Sequence, residues 1–93
     1  MNEFVLVEFI VSNESDLMIL KVKVDELGSD YQHITEEHEY DDDTNTNSFQ
    51  QWYILSGRIN SMRASLIKLQ DPFLSDRMRI SHISNDLKDR YRK

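Results

Sequence analysis

An α+β fold is the architecture that this 93-residue sequence predicts: a small antiparallel sheet of two or three strands, followed by two C-terminal α-helices. Segments rich in β-branched and aromatic residues lie in the first half of the chain, whereas the second half spaces its apolar residues at three and four positions. A polar stretch without apolar residues separates them. We therefore expect one domain, with a β-rich part at 1–47 and a helical part at 48–93.

The first strand is predicted at Phe4–Val11, a β-branched and aromatic run interrupted only by Glu8. Both of its faces are apolar, so we expect it inside the sheet or covered on both sides. A turn over 12–16, rich in Ser, Asn and Asp, leads to alternating apolar residues over 18–24. This alternation predicts a second, half-exposed strand that forms a hairpin with the first.

A third strand is predicted over 31–40, after the turn signal at 28–30. Its acidic residues suit the edge of a sheet, because charge on an edge discourages pairing with further chains. The segment 41–47, with the sequence DDDTNTN, contains no apolar residue and is expected to be a loop.

A long helix is predicted from Ser48, because Ser48 and Gln51 match a capping box. Apolar residues follow at helical spacing: Phe49, Trp52, Leu55, Ile59, Met62, Leu66 and Leu69. We expect Trp52 to anchor this helix on the sheet. Gly57 interrupts the run, so a strand at 52–55 with a helix that begins near Gly57 stays open as the alternative.

A second helix is predicted to begin at Asp71 and Pro72, which supply an N-cap and a first-turn proline. The two helices have almost no linker between them, so we expect a sharp elbow or a helical hairpin. The apolar residues of the second helix would be Phe73, Ile80, Ile83, Leu87 and Tyr91.

The two halves of the chain carry opposite charge. Residues 1–57 hold thirteen acids against two bases, a net charge of −11, and residues 58–93 hold nine bases against four acids, a net charge of +5. The whole chain carries −6. Such a division determines which partners are attracted rather than which fold forms.

Motifs for catalysis are weak throughout the sequence. Ser65 and Lys68 have the spacing of a serine–lysine pair, but no partner motif accompanies them. Two isolated glycines cannot form a phosphate-binding loop. We therefore expect neither an enzyme nor a cofactor.

Two groups of residues resemble metal ligands without completing a site. Oxygen ligands recur at every second residue of one segment, at Asp41, Asp43, Asn45 and Asn47. A calcium loop would need glycine where Thr46 stands and a bidentate glutamate where Trp52 stands. His33 and His38 lie among glutamates, but a spacing of five on a regular strand puts their imidazoles on opposite faces. No metal is expected.

The acidic segment predicts a protein-binding inhibitor or regulator. Carboxylates along a strand and loop can imitate the phosphates of a nucleic acid and attract a protein with a basic surface. Size and charge also fit small phage-encoded antagonists of host enzymes, and tyrosines at 31, 40 and 53 could add contact area. The expected partner-binding residues are Glu36, Glu37, Glu39, Tyr40, Asp41, Asp42 and Asp43.

The alternative function is a nucleic-acid-binding or transcription-regulating module that uses the basic C-terminal helix. Its binding residues would be Arg77, Arg79, Lys88, Arg90 and Arg92. Interspersed acids at Asp76, Asp86 and Asp89, together with the net charge of −6, weaken its attraction for a polyanion. We therefore do not expect direct nucleic-acid binding, and the bases could instead meet the acidic half, within one chain or across a dimer.

A homodimer in the cytoplasm is the expected state. A chain this short has a thin core, and self-association is the simplest source of further stability. Cysteine is absent, the N-terminus lacks a basic signal-peptide region, and no run approaches the roughly 20 apolar residues of a membrane helix.

Overall fold

The structure, a computed structural model, describes residues 3–43 and 48–81. This part of the chain confirms the α+β class. Its elements are β1 (Phe4–Val11), α1 (Glu14–Glu26), a 3-10 turn (Gly28–Asp30), β2 (Tyr31–Asp43), β3 (Ser48–Asn60), α2 (Ser61–Gln70), α3 (Pro72–Arg77) and β4 (Met78–Ser81). None of the helices in the described ranges has the length and apolar character needed to cross a bilayer.

The four strands form one antiparallel sheet in the order β2-β3-β1-β4. The helical connection α1 lies between β1 and β2, and α2 with α3 lies between β3 and β4. This order of elements and strands is the split βαβ arrangement of ferredoxin-like folds. It leaves β2 and β4 at the two edges of the sheet.

The helices cover one face of the sheet and share a single core with it. Alternate residues of β1 and β3 point to this face, and α1, α2 and α3 each bury residues against them. The buried residues are Val7, Phe9, Val11, Leu20, Val24, Leu27, Tyr53, Leu55, Ile59, Ala64, Ile67 and Leu74. The predicted division into parts at 1–47 and 48–93 is therefore not a division of the core.

The segment 18–24 is helical, so the predicted second strand and its hairpin with β1 are wrong. The Asn13 side chain caps α1 by accepting a hydrogen bond from the Asp16 N–H at 2.7 Å. Leu20 and Val24 then face the core at helical spacing. The misleading alternation arises because α1 also carries apolar residues, such as Met18 and Val22, on its outer side.

The segment 48–60 is a strand, so the helix predicted from Ser48 is also wrong, and the open alternative of a strand before Gly57 is nearer to the structure. The helix begins at Ser61, where Asn60 Oδ1 accepts hydrogen bonds from the N–H groups of the next turn at 3.0 and 3.2 Å. Because β3 is a central strand with apolar residues on both faces, its spacing resembled that of a helix.

Gly57 lets two strands pack closely. A Cβ atom there would lie 2.5 Å from the Gln32 carbonyl oxygen and 2.6 Å from the Tyr31 ring. The Tyr31 ring, diagonal to Gly57 in the register, therefore takes the place of the missing side chain.

Asp71 and Pro72 begin α3 as predicted: Asp71 Oδ1 accepts a hydrogen bond from the Leu74 N–H at 3.1 Å. Asp71 alone separates α2 from α3, which confirms that almost no linker joins them. The predicted second helix ends at Arg77, however, and β4 follows by pairing with β1. Ile80 thus lies on a strand, whereas the predicted helical residues Ile83, Leu87 and Tyr91 lie outside the described residues.

The third predicted strand is confirmed as β2, and it lies at the edge of the sheet. It continues to Asp43, so the predicted loop over 41–47 is strand in its first three residues, and 44–47 lies outside the described part. A register shift between His33 and Thr35 marks a β-bulge.

Candidate partner-binding site

The hairpin of β2 and β3 extends beyond the rest of the sheet. We call this hairpin, residues 31–43 and 48–60, the acidic hairpin. β1 pairs with β3 only from Asn60 to Tyr53, whereas β2 pairs with β3 as far as Asp43 and Ser48. The last five pairs therefore form an arm of about 17 Å that has strand neighbours only within the hairpin.

Few bases pair with the acids of the acidic hairpin in the described part of the chain. Between Tyr31 and Gly57 the sequence contains six acids and no lysine or arginine. Lys21 Nζ of α1 lies 2.8 Å from Glu36 Oε1, and both side chains are about half exposed. Glu37 and Glu39 are exposed and have no ion-pair partner among the described residues. A basic partner would therefore meet carboxylates, those of Glu37 and Glu39, that the described part of the chain does not neutralise.

The predicted partner-binding residues all lie on one strand, β2, and on both of its faces. Glu36 is opposite Leu55, on the side of the helices, whereas Glu37 and Glu39 point away from the helices. Tyr40 is 60% exposed. The remaining three, Asp41, Asp42 and Asp43, occupy backbone positions in the arm, opposite Gln50, Phe49 and Ser48.

The outer side of β2 is a free sheet edge in the described structure, since β3 is its only strand neighbour there. An edge of this kind presents backbone N–H and C=O groups to another chain. Repeated acids on the edge oppose pairing with a second acidic hairpin and favour a basic strand or loop instead.

An aromatic cluster fixes the hairpin at the point where it leaves the sheet. The His38 ring stacks on Tyr53 with a centroid distance of 4.0 Å and lies 4.2 Å from the Tyr40 ring. Its Nε2 atom is at hydrogen-bond distance, 3.1 Å, from Gln51 Oε1. Tyr53 in turn donates a hydrogen bond to Glu14 of α1 at 3.4 Å. Burial, together with the Glu14 carboxylate, raises the pKa of Tyr53 above its usual range.

This cluster could not be read from the sequence, because only the register of β2 and β3 puts His38 opposite Tyr53. Of the three tyrosines expected to add contact area, Tyr40 alone is exposed. Tyr53 is buried, and Tyr31 packs against the core. Trp52 does not anchor a helix; it lies on β3 opposite Glu39, on the face away from the helices.

The two histidines lie on the same face of β2, because the bulge between them adds one residue to the strand. The expectation that their imidazoles point to opposite faces is therefore wrong. Even so, no group of three or more metal-ligating side chains comes together within the described residues. Asn45 and Asn47 of the calcium-like segment lie outside that part.

The basic residues of the alternative function are partly used inside the molecule. Arg77 donates a hydrogen bond to the Phe73 carbonyl at 3.0 Å, covers the Phe73 ring, and forms an ion pair with Asp16 at 3.4 Å. Arg79 is exposed on β4, opposite Glu8. The other three, Lys88, Arg90 and Arg92, lie outside the described residues.

Opposite charges of the two halves do meet within one chain. Of the four ion pairs in the described structure, two join an acid of the first half to a base of the second: Asp16 with Arg77, and Asp30 with Arg63 at 3.3 Å. A third joins Lys23 of α1 to Asp71 at 3.0 Å. These three pairs lie in the helical body and hold its connections together.

The serine–lysine spacing in α2 has a structural explanation. The Ser65 hydroxyl donates a hydrogen bond to the Ser61 carbonyl one turn earlier, at 3.2 Å. This is the usual behaviour of serine on a helix surface, and it directs the hydroxyl to the backbone.

Comparison of this chain with protein-family models, with curated proteins and with solved structures gives no match. The function therefore has to be argued from the acidic hairpin itself.

Proposed function

We propose that this protein is a small protein-binding inhibitor or regulator that uses the acidic hairpin to bind a basic site on another protein. The observation that carries the proposal is the concentration of acids on one edge strand. Six acids lie within residues 36–43, and of the three whose side chains the structure describes, Glu36 alone has a basic partner, Lys21. Unpaired carboxylates on a rigid strand add little to folding and attract a basic partner.

The spacing of the carboxylates supports mimicry of a nucleic acid. Glu37 and Glu39 are two residues apart on the same side of the strand, a separation of about 7 Å. A sheet holds them in fixed positions, so a partner that grips phosphates can contact them without ordering a flexible segment. A phage-encoded antagonist of a host nucleic-acid enzyme would use such a surface.

Tyr40 supplies the apolar part of the proposed contact. It is exposed by 60%, and its ring contacts His38, which in turn stacks on the buried Tyr53. An aromatic ring supported in this way offers contact area at a low cost in side-chain entropy. We therefore expect Tyr40 to be an anchor among the acids.

The test is capture of partners from extracts of the native host with two variants of equal net charge. Each variant neutralises three acids, so each has a formal charge of −3 instead of −6. The hairpin variant carries Glu37→Gln, Glu39→Gln and Asp42→Asn. The body variant carries Glu3→Gln, Glu8→Gln and Asp76→Asn.

We expect the parent protein and the body variant to capture the same basic protein, and the hairpin variant to lose it. Matched thermal melts show whether the variants remain folded. Equal capture by the hairpin variant would contradict the proposal, because the contact would then depend on another surface or on net charge alone.

A further inference from the structure

The sheet carries apolar residues on the side away from the helices as well as in the core. Leu6 and Ile10 of β1 and Ile54 of β3 alternate with core residues, so they point to this side, as Trp52 does. All four are half-buried, and none belongs to the core or is among the residues that pack against it. We call these four residues the open sheet face, because α1, α2 and α3 all lie on the opposite side of the sheet. Large apolar side chains grouped on one surface are typical of a contact.

The chain passes close to the open sheet face where β4 ends. Ser81 pairs with Leu6 in the register, so the chain leaves β4 beside this face. The sequence continues with HISNDLKDRYRK, residues 82–93, which lie outside the described residues. We call these residues the C-terminal segment. Its three large apolar residues are four positions apart, the spacing of one face of a helix: Ile83, Leu87 and Tyr91.

The two sets of apolar residues agree in length. Leu6 and Ile54 lie on neighbouring strands, four residues apart along them, which is about 14 Å across the sheet. A helix rises about 12 Å over the eight residues from Ile83 to Tyr91. Ser56 lies between Leu6 and Ile54, and its small side chain leaves room for a larger one above it.

Charge favours the same direction across the sheet, from Leu6 towards Ile54. Beyond Ile54 the register places Glu37, and the next outward residue of β2 is Glu39. Neither carboxylate has an ion-pair partner among the described residues. The last six residues of the C-terminal segment contain four bases and one acid. A segment that runs in this direction therefore brings its bases to these two acids.

We propose that the C-terminal segment binds the open sheet face of its own chain as an amphipathic helix. An isolated helix of twelve residues is marginal in water, so the apolar contact would supply its stability. The segment of a second copy could bind in the same way, but a tethered segment has an effective concentration in the millimolar range and is favoured below it.

This docking depends on apolar residues of β1 and β3, so it does not rest on the proposed function. A basic partner at the acidic hairpin would displace only the end of the segment from Glu37. Loss of the segment's bases should therefore not slow the binding of such a partner.

The first test measures how accessible the open sheet face is to a thiol reagent. The sequence has no cysteine, so Ser56→Cys introduces a single thiol at the centre of this face. A covered thiol reacts only when the segment opens, so Ile83→Gln with Leu87→Gln should raise its rate of reaction with a maleimide about tenfold or more. Ser65→Cys on the exposed side of α2 is the matched control and should react equally in both backgrounds.

The second test is thermal unfolding of the full chain without introduced cysteines. Ile83→Gln with Leu87→Gln removes two apolar contacts and should lower the melting temperature by about 8 °C or more. The control, Ser84→Gln with Asn85→Gln, changes polar positions of the same segment and should alter the melting temperature by less than about 3 °C.

Equal reactivity of the thiol at position 56 in the two backgrounds would overturn the proposal, because the segment would then leave this face uncovered. Protection of that thiol which grows with protein concentration would also overturn it and assign the face to a second copy. So would a melting temperature that the Ile83 and Leu87 substitutions leave unchanged.

Discussion

The helical body and the acidic hairpin differ in how their acids are distributed. In the body, acids are spread over several elements: Asp16, Asp30 and Asp71 each pair with a base that is distant in the sequence, whereas Asp25 and Glu26 have no ion-pair partner among the described residues. In the hairpin, the described acids depend on a single base, Lys21, which contacts Glu36. Some opposite charges of the two halves thus form ion pairs within the chain, such as Asp16 with Arg77, whereas Glu37 and Glu39 of the hairpin have no ion-pair partner among the described residues.

The helical body and the acidic hairpin also differ in how they are packed. β1, the inner part of β3 and the three helices enclose the core, whereas the outer five pairs of the hairpin have no β1 beside them. Folding is therefore expected to depend on the body, and substitutions in the arm are expected to act mainly on binding. The predictions below test this division, from the largest expected effect to the smallest.

Gly57→Ala should lower the free energy of unfolding by about 3 kcal/mol, because its new methyl group would overlap the Gln32 carbonyl and the Tyr31 ring. Urea denaturation followed by circular dichroism measures the change. Gln50→Ala on the exposed arm of the same strand should alter it by less than about 0.5 kcal/mol. Equal effects at the two positions would show that the arm contributes to folding as much as the body does.

Tyr31→Phe should stabilise the protein by about 1 kcal/mol at neutral pH. The Tyr31 hydroxyl is buried and has no hydrogen-bond partner among the described residues, so its removal leaves nothing unsatisfied. Thermal or urea unfolding of the two proteins measures the gain. A loss of stability would mean that this hydroxyl makes a favourable contact and that the body is packed differently at this position.

The difference in stability between the parent protein and the Tyr31→Phe variant should also depend on pH in the alkaline range. Burial raises the pKa of Tyr31 to about 12, against about 10 in an unfolded chain. The unfolded state therefore loses this proton first, and the parent protein loses stability as pH rises through that window. The advantage of the Phe variant should widen there, and a constant difference would contradict the burial of Tyr31.

Asp71→Asn should cost about 0.5 kcal/mol at neutral pH, since Asn can still cap α3 but cannot pair with Lys23. Partial burial acts to raise the pKa of Asp71, but the Leu74 N–H and the Lys23 ammonium outweigh it and hold that pKa below its usual range. The advantage of Asp is thus present above the ordinary carboxyl pKa and disappears as pH falls through the lowered one. A difference that persists in acid would contradict this account.

Sequence patterns were reliable where a residue acts locally. The strand at Phe4–Val11, the acidic edge strand and the cap at Asp71 were all predictable, because propensity, charge and a proline each favoured one structure. The bulge in β2 was not predictable, although it decides which face His38 occupies. Bulges depend on the pairing of two strands rather than on one segment.

Periodicity failed where an element is apolar on two sides. The outward residues of α1 made it resemble an alternating strand, and the two apolar faces of β3 made it resemble a helix. The acids of the candidate site could be identified from composition alone. Which of them lack an ion-pair partner among the described residues, as Glu37 and Glu39 do, could not, because ion pairs join residues that only the fold brings together.

The most direct test of the account is the association rate of the captured partner at several ionic strengths. Three proteins are compared: the parent, the hairpin variant, and a tail variant with Lys88, Arg90, Arg92 and Lys93 each replaced by Gln. The account predicts fast, strongly salt-dependent association for the parent and the tail variant, and slower association with a flatter salt dependence for the hairpin variant. Loss of binding in the tail variant, with full affinity in the hairpin variant, would contradict it and make the basic C-terminal segment the binding surface.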